Sequence, residues 1–296
     1  MNRILEISES TASIRSENGL LRISSDTLDV KIPFEEIAVL ILANNRILIS
    51  QQALSDLASV NGIVLVCNDK FRPSAMLIPL EGNYEQTKKM ACQADASLPV
   101  KKQIWKTIVQ AKLRSQAGVL RKRTGNDCGL LEMSKAVGSG DPGNLEAVAA
   151  ARYWKQLLGN EFVRHNEDFR NSALNYGYAI LRSIVARCLC ASGLHPSLGV
   201  HHKNQRNPFC LADDVMEPFR PIVDNLIAGL KIQEQMTKET KQTILSGLME
   251  KFGYMGERST LFEIILRISQ ALAKHFTDGA PFDIGEISGY NVRLHE

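Results

Sequence analysis

The sequence predicts an α+β fold, with a small N-terminal β-strand domain followed by a larger, all-α domain. Short apolar runs separated by polar turn residues fill the N-terminal part, whereas apolar residues recur at helical spacing after Pro79. With 44% hydrophobic and 23% charged residues, a chain of 296 residues can bury an ordinary core. We therefore expect a β domain over 1–79, a connector over 80–98, a helical domain over 99–285 and a C-terminal tail over 286–296.

Strands account for most of the first 79 residues. The run 37–42 is apolar throughout, which is typical of a strand covered on both faces. Ser50 can cap a short helix that stops at Asn61-Gly62, and the next apolar run forms another buried strand. The strands are expected at 4–7, 12–14, 20–23, 28–32, 37–42 and 62–67, and the helix at 51–60.

Helices account for most of the remainder. The first of them, 99–124, is expected to be amphipathic, with apolar residues on one side and basic residues on the others. The other helical segments are expected at 129–137, 144–158, 172–191, 211–230, 240–252 and 258–276.

Membrane and secreted classes do not fit the sequence. No apolar run reaches the roughly 20 residues that cross a bilayer, and the N-terminus lacks the apolar core of a signal peptide. We expect a cytoplasmic protein without a membrane partner and with reduced cysteines. A zinc site at Cys188 and Cys190 is the less favoured alternative, because positions two apart on a helix point in different directions.

Basic residues are concentrated in one stretch. Between Ala96 and Asn126 there is no acidic residue, which indicates a polyanionic partner such as nucleic acid; a solvated helix face explains the composition equally well. The basic residues of this stretch, which are the candidate DNA-binding residues, are Lys101, Lys102, Lys106, Lys112, Arg114, Arg121, Lys122 and Arg123.

Three segments place possible metal ligands among apolar helices. Glu146 lies in the first turn of a helix that Asn144 can cap, where a carboxylate also simply stabilises the helix. The segment 193–202 must be a loop because of its glycines and proline, and it carries three histidines. In the third segment, Asp213 or Asp214 shares a helical face with Glu217, and like charges at that distance repel unless a cation lies between them.

Together the segments supply two carboxylates and an imidazole. This set suits Mg²⁺ or Mn²⁺ better than a thiolate site for zinc. A hard cation can polarise a phosphate and a basic helix can bind a nucleic-acid backbone, so the combination indicates phosphoryl transfer.

The same segments resemble the signature of the CRISPR-associated integrase family "Cas-one". The glutamate helix is matched by Glu146-Ala147-x-Ala149-Ala150-x-x-Tyr153-Trp154, and the long central helix by 175–182. The loop matches as Gly193-Leu194-x-Pro196-x-Leu198-Gly199-x-x-His202, and the acidic segment as Leu211-Ala212-x-Asp214-x-Met216-Glu217-Pro218-Phe219-Arg220-Pro221. The resemblance covers nearly the whole chain and is closest to the type II branch.

The resemblance implies an enzyme of spacer acquisition. Glu146, His202 and Glu217 would be the catalytic metal ligands, with His202 chosen over His201 by its distance from the loop glycine and Asp214 as a supporting acid. The enzyme would insert prespacer DNA into the CRISPR repeat through attack of a 3′ hydroxyl on a phosphodiester. Implied partners are double-stranded DNA with 3′ ends, a second copy bound through the β domain, the small companion "Cas-two" and other type II proteins.

Two other functions are compatible with these residues. A general metal-dependent nuclease of repair or RNA processing would use the same ions and basic helix, but it would cleave with water. A non-catalytic nucleic-acid-binding scaffold would use the acidic residues for structure alone. The combined motifs favour the integrase.

Overall fold

The computed structural model describes residues 3–68, 73–164 and 166–289. Its N-terminal part contains two four-stranded sheets and one α-helix. The six predicted strands and the helix occur in the expected order, and two further strands, Leu48–Ile49 and Pro73–Leu77, were not predicted. The elements are β1 (Arg3–Ile7), β2 (Ser13–Glu17), β3 (Leu20–Ser24), β4 (Asp29–Pro33), β5 (Ile37–Leu42), β6 (Leu48–Ile49), α1 (Gln51–Ser59), β7 (Ile63–Cys67) and β8 (Pro73–Leu77).

Strand β5 lies between the two hydrophobic cores of the molecule. The first sheet has the order β1-β5-β7-β8, with β1, β5 and β7 parallel, and the second has the order β4-β3-β2-β6. Every residue of β5 is buried: Leu40 and Leu42 pack into the core of the β part, whereas Val39 and Ile41 pack into the core shared with the helices. Successive side chains of a strand point to opposite faces, so an entirely apolar strand suits this position.

The C-terminal part is mainly helical, which confirms the predicted α+β fold class. Its elements are α2 (Gln86–Asp95), α3 (Leu98–Thr124), α4 (Leu130–Ala136), α5 (Leu145–Leu158), α6 (Phe169–Ala191), α7 (Cys210–Met216), α8 (Arg220–Ala228), α9 (Lys238–Leu248), β9 (Lys251–Tyr254), β10 (Glu257–Thr260), α10 (Leu261–Asp278) and β11 (Ile287–Ser288).

An all-α description of this part was wrong in one region. Residues assigned to the ends of two predicted helices instead form the antiparallel pair β9–β10, which β11 extends into a three-stranded sheet. Met255 and Gly256 both have positive φ, as the two central residues of a type I′ hairpin turn require. The predicted connector contains α2, and the predicted tail lies outside the described residues from 290 onward.

Helix α3 is surrounded by other elements and does not have the single buried side that the sequence predicted. It contacts α4, α5, α8 and the 3-10 turn Glu217–Phe219, so its middle is enclosed on several sides. Lys112, Ser115 and Gln116 are consequently buried together with the apolar residues. The expectation that the basic residues of this helix lie on its outer faces was therefore wrong for Lys112, which lies at an interface between helices.

Helix α6 begins where Asp168 accepts a hydrogen bond from the backbone N–H of Asn171 at 2.7 Å. Cys188 and Cys190 lie near its other end, and burial raises the pKa of each thiol to about 12. They are therefore protonated and packed in the core, as the favoured interpretation predicts. Among the described helices, none combines the length and the apolar composition needed to cross a membrane.

Candidate active site

Asp141 sets the position of Glu146 at the start of α5. Its two carboxylate oxygens accept hydrogen bonds from the backbone N–H groups of Leu145 and Glu146, each at 2.9 Å. Asn144 has a left-handed backbone, and its side chain makes no capping hydrogen bond. The expectation that Asn144 caps α5 was wrong, and Asp141 supplies the cap instead.

Lys112 brings Glu146 and Glu217 together. Its ammonium forms a hydrogen-bonded ion pair with Oε1 of Glu146 and lies 2.6 Å from Oε2 of Glu217. All three side chains are mostly buried, with the Glu146 side chain the most exposed at 27%. Two carboxylates far apart in the sequence therefore share one cation.

Glu217 is held between two positive charges. Its Oε1 atom lies 3.0 Å from Nε of Arg220, while Oε2 faces Lys112. Burial alone would raise the pKa of Glu217, but the charges of Arg220 and Lys112 outweigh burial and lower it. Burial likewise opposes the charged form of Lys112, yet Glu217 and Glu146 raise its pKa. Glu217 and Lys112 are therefore both charged at neutral pH.

Asp214 fixes the histidine loop. It is completely buried and accepts backbone N–H groups from Val200 at 2.7 Å, His201 at 3.0 Å and His202 at 3.2 Å. It also contacts Nδ1 of His202 at 2.6 Å, and this hydrogen bond raises the pKa of His202, with a further contribution from Glu217. An ionised carboxylate only accepts, so Nδ1 carries a proton, and in the neutral ring Nε2 is then the nitrogen with the lone pair.

Two further residues shape this loop. Gln93 of α2 donates to the carbonyls of His195 and Leu198, both at 2.9 Å, and accepts the backbone N–H of His195. A side chain at Gly199 would clash with the carbonyl oxygen of His202 and press on Asp214. The close packing of the chain against itself therefore requires glycine at this position.

His201 has a different environment from His202. Its ring stacks on Trp105 of α3, with centroids 3.9 Å apart and planes 4° from parallel. Burial lowers the pKa of His201, so it is a neutral ring packed against an indole. This arrangement favours His202 as the functional imidazole.

The two histidines should respond differently to substitution. His202→Ala removes the imidazole that Asp214 orients, and we expect it to lose most of the rate of the DNA joining that the family resemblance implies. His201→Ala removes a ring contact worth about 1 kcal/mol, so we expect at least roughly a tenth of the rate to remain. Single-turnover joining assays on both variants test this difference, and an equal loss would contradict the assignment of His202.

The donor atoms fit a hard divalent cation. Carboxylates and an imidazole suit Mg²⁺ or Mn²⁺, and the Lys112 position shows that positive charge is already stabilised between Glu146 and Glu217. Within the residues described, no three His, Cys, Asp or Glu side chains are already grouped as a ligand set.

The predicted basic residues have several different environments. Lys112 belongs to the carboxylate cluster, Arg121 pairs with Asp127 at 2.8 Å, and Nε of Arg123 donates to Asn225 at 2.7 Å. Arg114 donates to the carbonyl of Gly285 at 3.5 Å. The exposed or half-buried remainder comprises Lys101, Lys102, Lys106 and Lys122. A single continuous track made of all eight is not observed.

A cleft of about 1030 Å³ adjoins the site. It lies between β1, α6 and the segment before α9, and its wall includes Tyr178, Arg182 and Arg220. Arg182 pairs with Asp213 at 2.7 Å, while Arg220 contacts Glu217. An extended ligand in this cleft would therefore touch residues that hold the acidic segment.

Comparison with protein families shows which family the chain belongs to. The model of the family "CRISPR associated protein Cas1" matches residues 5–251. The chain belongs to the Cas1 family. A CRISPR-associated endonuclease Cas1 from Neisseria meningitidis is 40% identical over 226 residues, which cover 75% of this chain and 74% of the relative. The predicted resemblance is thereby confirmed.

Solved structures show the same fold at lower identity. A casposase bound to integration product has a TM-score of 0.81 and 19% identity, covering 99% of this chain and 96% of the casposase. A Cas6-RT-Cas1–Cas2 complex has a TM-score of 0.74 and 18% identity, covering 99% of this chain and 36% of that one. The chain is a Cas1-family endonuclease, and the prediction of a CRISPR-adaptation integrase/endonuclease is confirmed at the family level.

Proposed function

We propose that this Cas1 protein joins DNA 3′ ends to a CRISPR repeat by metal-dependent phosphodiester transesterification. The observation that carries the proposal is the convergence of Glu146 and Glu217 on one ammonium, close to an imidazole oriented by Asp214. Glu146, His202 and Glu217 would hold Mg²⁺ or Mn²⁺. Such an ion, when bound, polarises the phosphate and stabilises the negative charge of the transition state.

The protein's own residues supply orientation and charge. Asp214 accepts the Nδ1 proton of neutral His202, which leaves the Nε2 lone pair free, and it fixes the ring through the adjacent loop backbone. The buried cations on Glu217 keep it ionised. With a metal ion held by the carboxylates, Lys112 would be a positive group that could stabilise charge on the phosphate oxygens.

The proposed partners follow from the named neighbours. The casposase structure contains an integration product, and another neighbour is a complex with Cas2. For this chain we propose prespacer and repeat DNA, the companion Cas2 and other type II proteins, all in the cytoplasm. We further propose a homodimer formed through the β domain 1–79, with catalysis by 99–285.

A joining assay tests the proposal. A short duplex with labelled 3′-hydroxyl ends is incubated with a repeat-bearing plasmid, Cas2 and Mn²⁺ or Mg²⁺. We expect the label to become covalently attached to the plasmid, and EDTA to abolish the attachment. Cleaved products without attachment would indicate a nuclease that uses water, and binding without either product would indicate a scaffold.

The exposed or half-buried lysines at the start of α3 provide a separate prediction. Replacing Lys101, Lys102 and Lys106 by alanine should weaken DNA binding and flatten its salt dependence by up to about three unit charges, because fewer counterions are released. Fluorescence anisotropy at several salt concentrations measures both quantities. Alanine at Lys135, Lys251 and Lys274 is the charge-matched control, and equal effects of the two triple variants would show that the α3 lysines form only a solvated surface.

A further inference from the structure

Three buried or partly buried side chains form a continuous row that leads away from Glu217. Arg220 lies 3.0 Å from Oε1 of Glu217, and the centre of its guanidinium lies 4.9 Å from the Tyr178 ring centroid. The Tyr178 hydroxyl donates in turn to Oδ1 of Asp224. Tyr178 is 8% exposed and Asp224 is 1% exposed, so the far end of the row is almost shielded from water.

The backbone around Glu217 places Arg220 beside it. Glu217–Phe219 forms a 3-10 turn, in which side chains three residues apart lie on the same side. Pro218 and Pro221 restrict φ at both ends of Arg220's segment. Arg220 therefore reaches Glu217 through a short, stiff stretch of chain.

A guanidinium can make these two contacts at once. Its edge donates to a carboxylate while its flat face lies over an aromatic ring, which the compact ammonium of lysine cannot reproduce. Here the edge contacts Glu217 and the guanidinium lies over Tyr178. The ring is itself fixed at its hydroxyl by Asp224.

The row also determines which oxygen of Glu217 is presented to other groups. Oε1 contacts Arg220, whereas Oε2 faces the Lys112 ammonium and thus the side on which Glu146 lies. A free carboxylate would rotate and exchange its two oxygens. The ion pair of Arg220 with Oε1 makes the two oxygens of this carboxylate unequal.

From this geometry we infer that Arg220, supported by Tyr178 and Asp224, is a positioning residue that directs a single oxygen of Glu217 toward the catalytic cation. The inference rests on the proposed function, because it gives Glu217 the role of a ligand. Arg220 is assigned no contact with the reacting atoms. Its effect is on the orientation of the carboxylate and hence on cation affinity.

Mn²⁺ binding without DNA, measured by calorimetry, tests the inference. Arg220→Lys keeps the charge but loses the combined edge and face contacts, so we expect Mn²⁺ affinity to fall by about tenfold, as for other residues that orient metal ligands. The joining rate should recover at high Mn²⁺ concentration. Tyr178→Phe should act in the same direction, and the double variant should lose less than the product of the two single losses.

Controls separate positioning from simple support of the fold. Arg187→Lys changes another partly buried guanidinium over an aromatic ring, 5.6 Å from Phe262, and should leave Mn²⁺ affinity unchanged. If Arg220→Lys lowers the unfolding temperature but binds Mn²⁺ like wild type, the inference is wrong and the row is structural. If Glu217→Gln binds Mn²⁺ as tightly as wild type, the proposed ligand role itself fails.

Discussion

Glu217→Gln should abolish DNA joining while leaving DNA binding intact. We expect the joining rate to fall by about a thousandfold or more, equivalent to roughly 4 kcal/mol of lost transition-state stabilisation. Glutamine has the same size but no charge, so it cannot balance Lys112 and Arg220 or hold a hard cation. Single-turnover joining assays with saturating protein, beside anisotropy measurements of DNA binding, give the two quantities separately.

The conservative Glu217→Asp variant is the matched control. It keeps the carboxylate and shortens the side chain by one methylene, and we expect it to retain more of the rate than glutamine does. Because two buried cations lose a partner in Glu217→Gln, the unfolding temperature must be measured for both variants. A folded Glu217→Gln protein that joins DNA at the wild-type rate would exclude Glu217 from catalysis.

Lys112→Met should strongly destabilise the metal-free protein. Removing one partner of a buried ion pair costs about 3–5 kcal/mol, because the remaining charges lose their compensation. Here Glu146 and Glu217 would face each other without the ammonium that now separates them, although Arg220 still neutralises part of Glu217. Chemical denaturation in EDTA measures the loss.

Mn²⁺ provides the diagnostic comparison. A divalent cation that binds the two carboxylates replaces the missing charge, so Mn²⁺ should raise the unfolding temperature of Lys112→Met more than that of wild type. Lys155→Met, on the exposed side of α5, is the control and should change stability little. A Lys112→Met protein as stable as wild type in EDTA would show that Lys112 does not hold the carboxylates together.

The sequence predicted which residues belong to the candidate site better than it predicted their contacts. The motifs selected Glu146, His202, Glu217 and Asp214. In the structure, Asp214 contacts the histidine loop, whereas Asp213 pairs with Arg182. Lys112 was grouped with DNA-binding residues because its charge matched its neighbours. A lysine directly between Ala111 and Leu113 in the middle of a long apolar helix was the available signal of burial.

The remaining parts of the site come from residues far apart in the chain. Gln93 lies in a segment expected to be a connector, yet it fastens the histidine loop. Arg220 was visible in the motif, but its contacts with Glu217 and Tyr178 depend on how α6 packs beside the 3-10 turn. Local patterns carry no information about such contacts.

The sequence by itself determined the α+β order, the core strands and helices, and the family, because hydrophobic periodicity and motif spacing are properties of the chain. The tertiary structure alone decided which charges are buried and which meet. It enclosed Lys112 between two acids, set His201 on Trp105 and turned His202 toward Asp214. The free energy of a charged group depends on its solvent exposure and on neighbours brought close by folding, and neither is written in the local sequence.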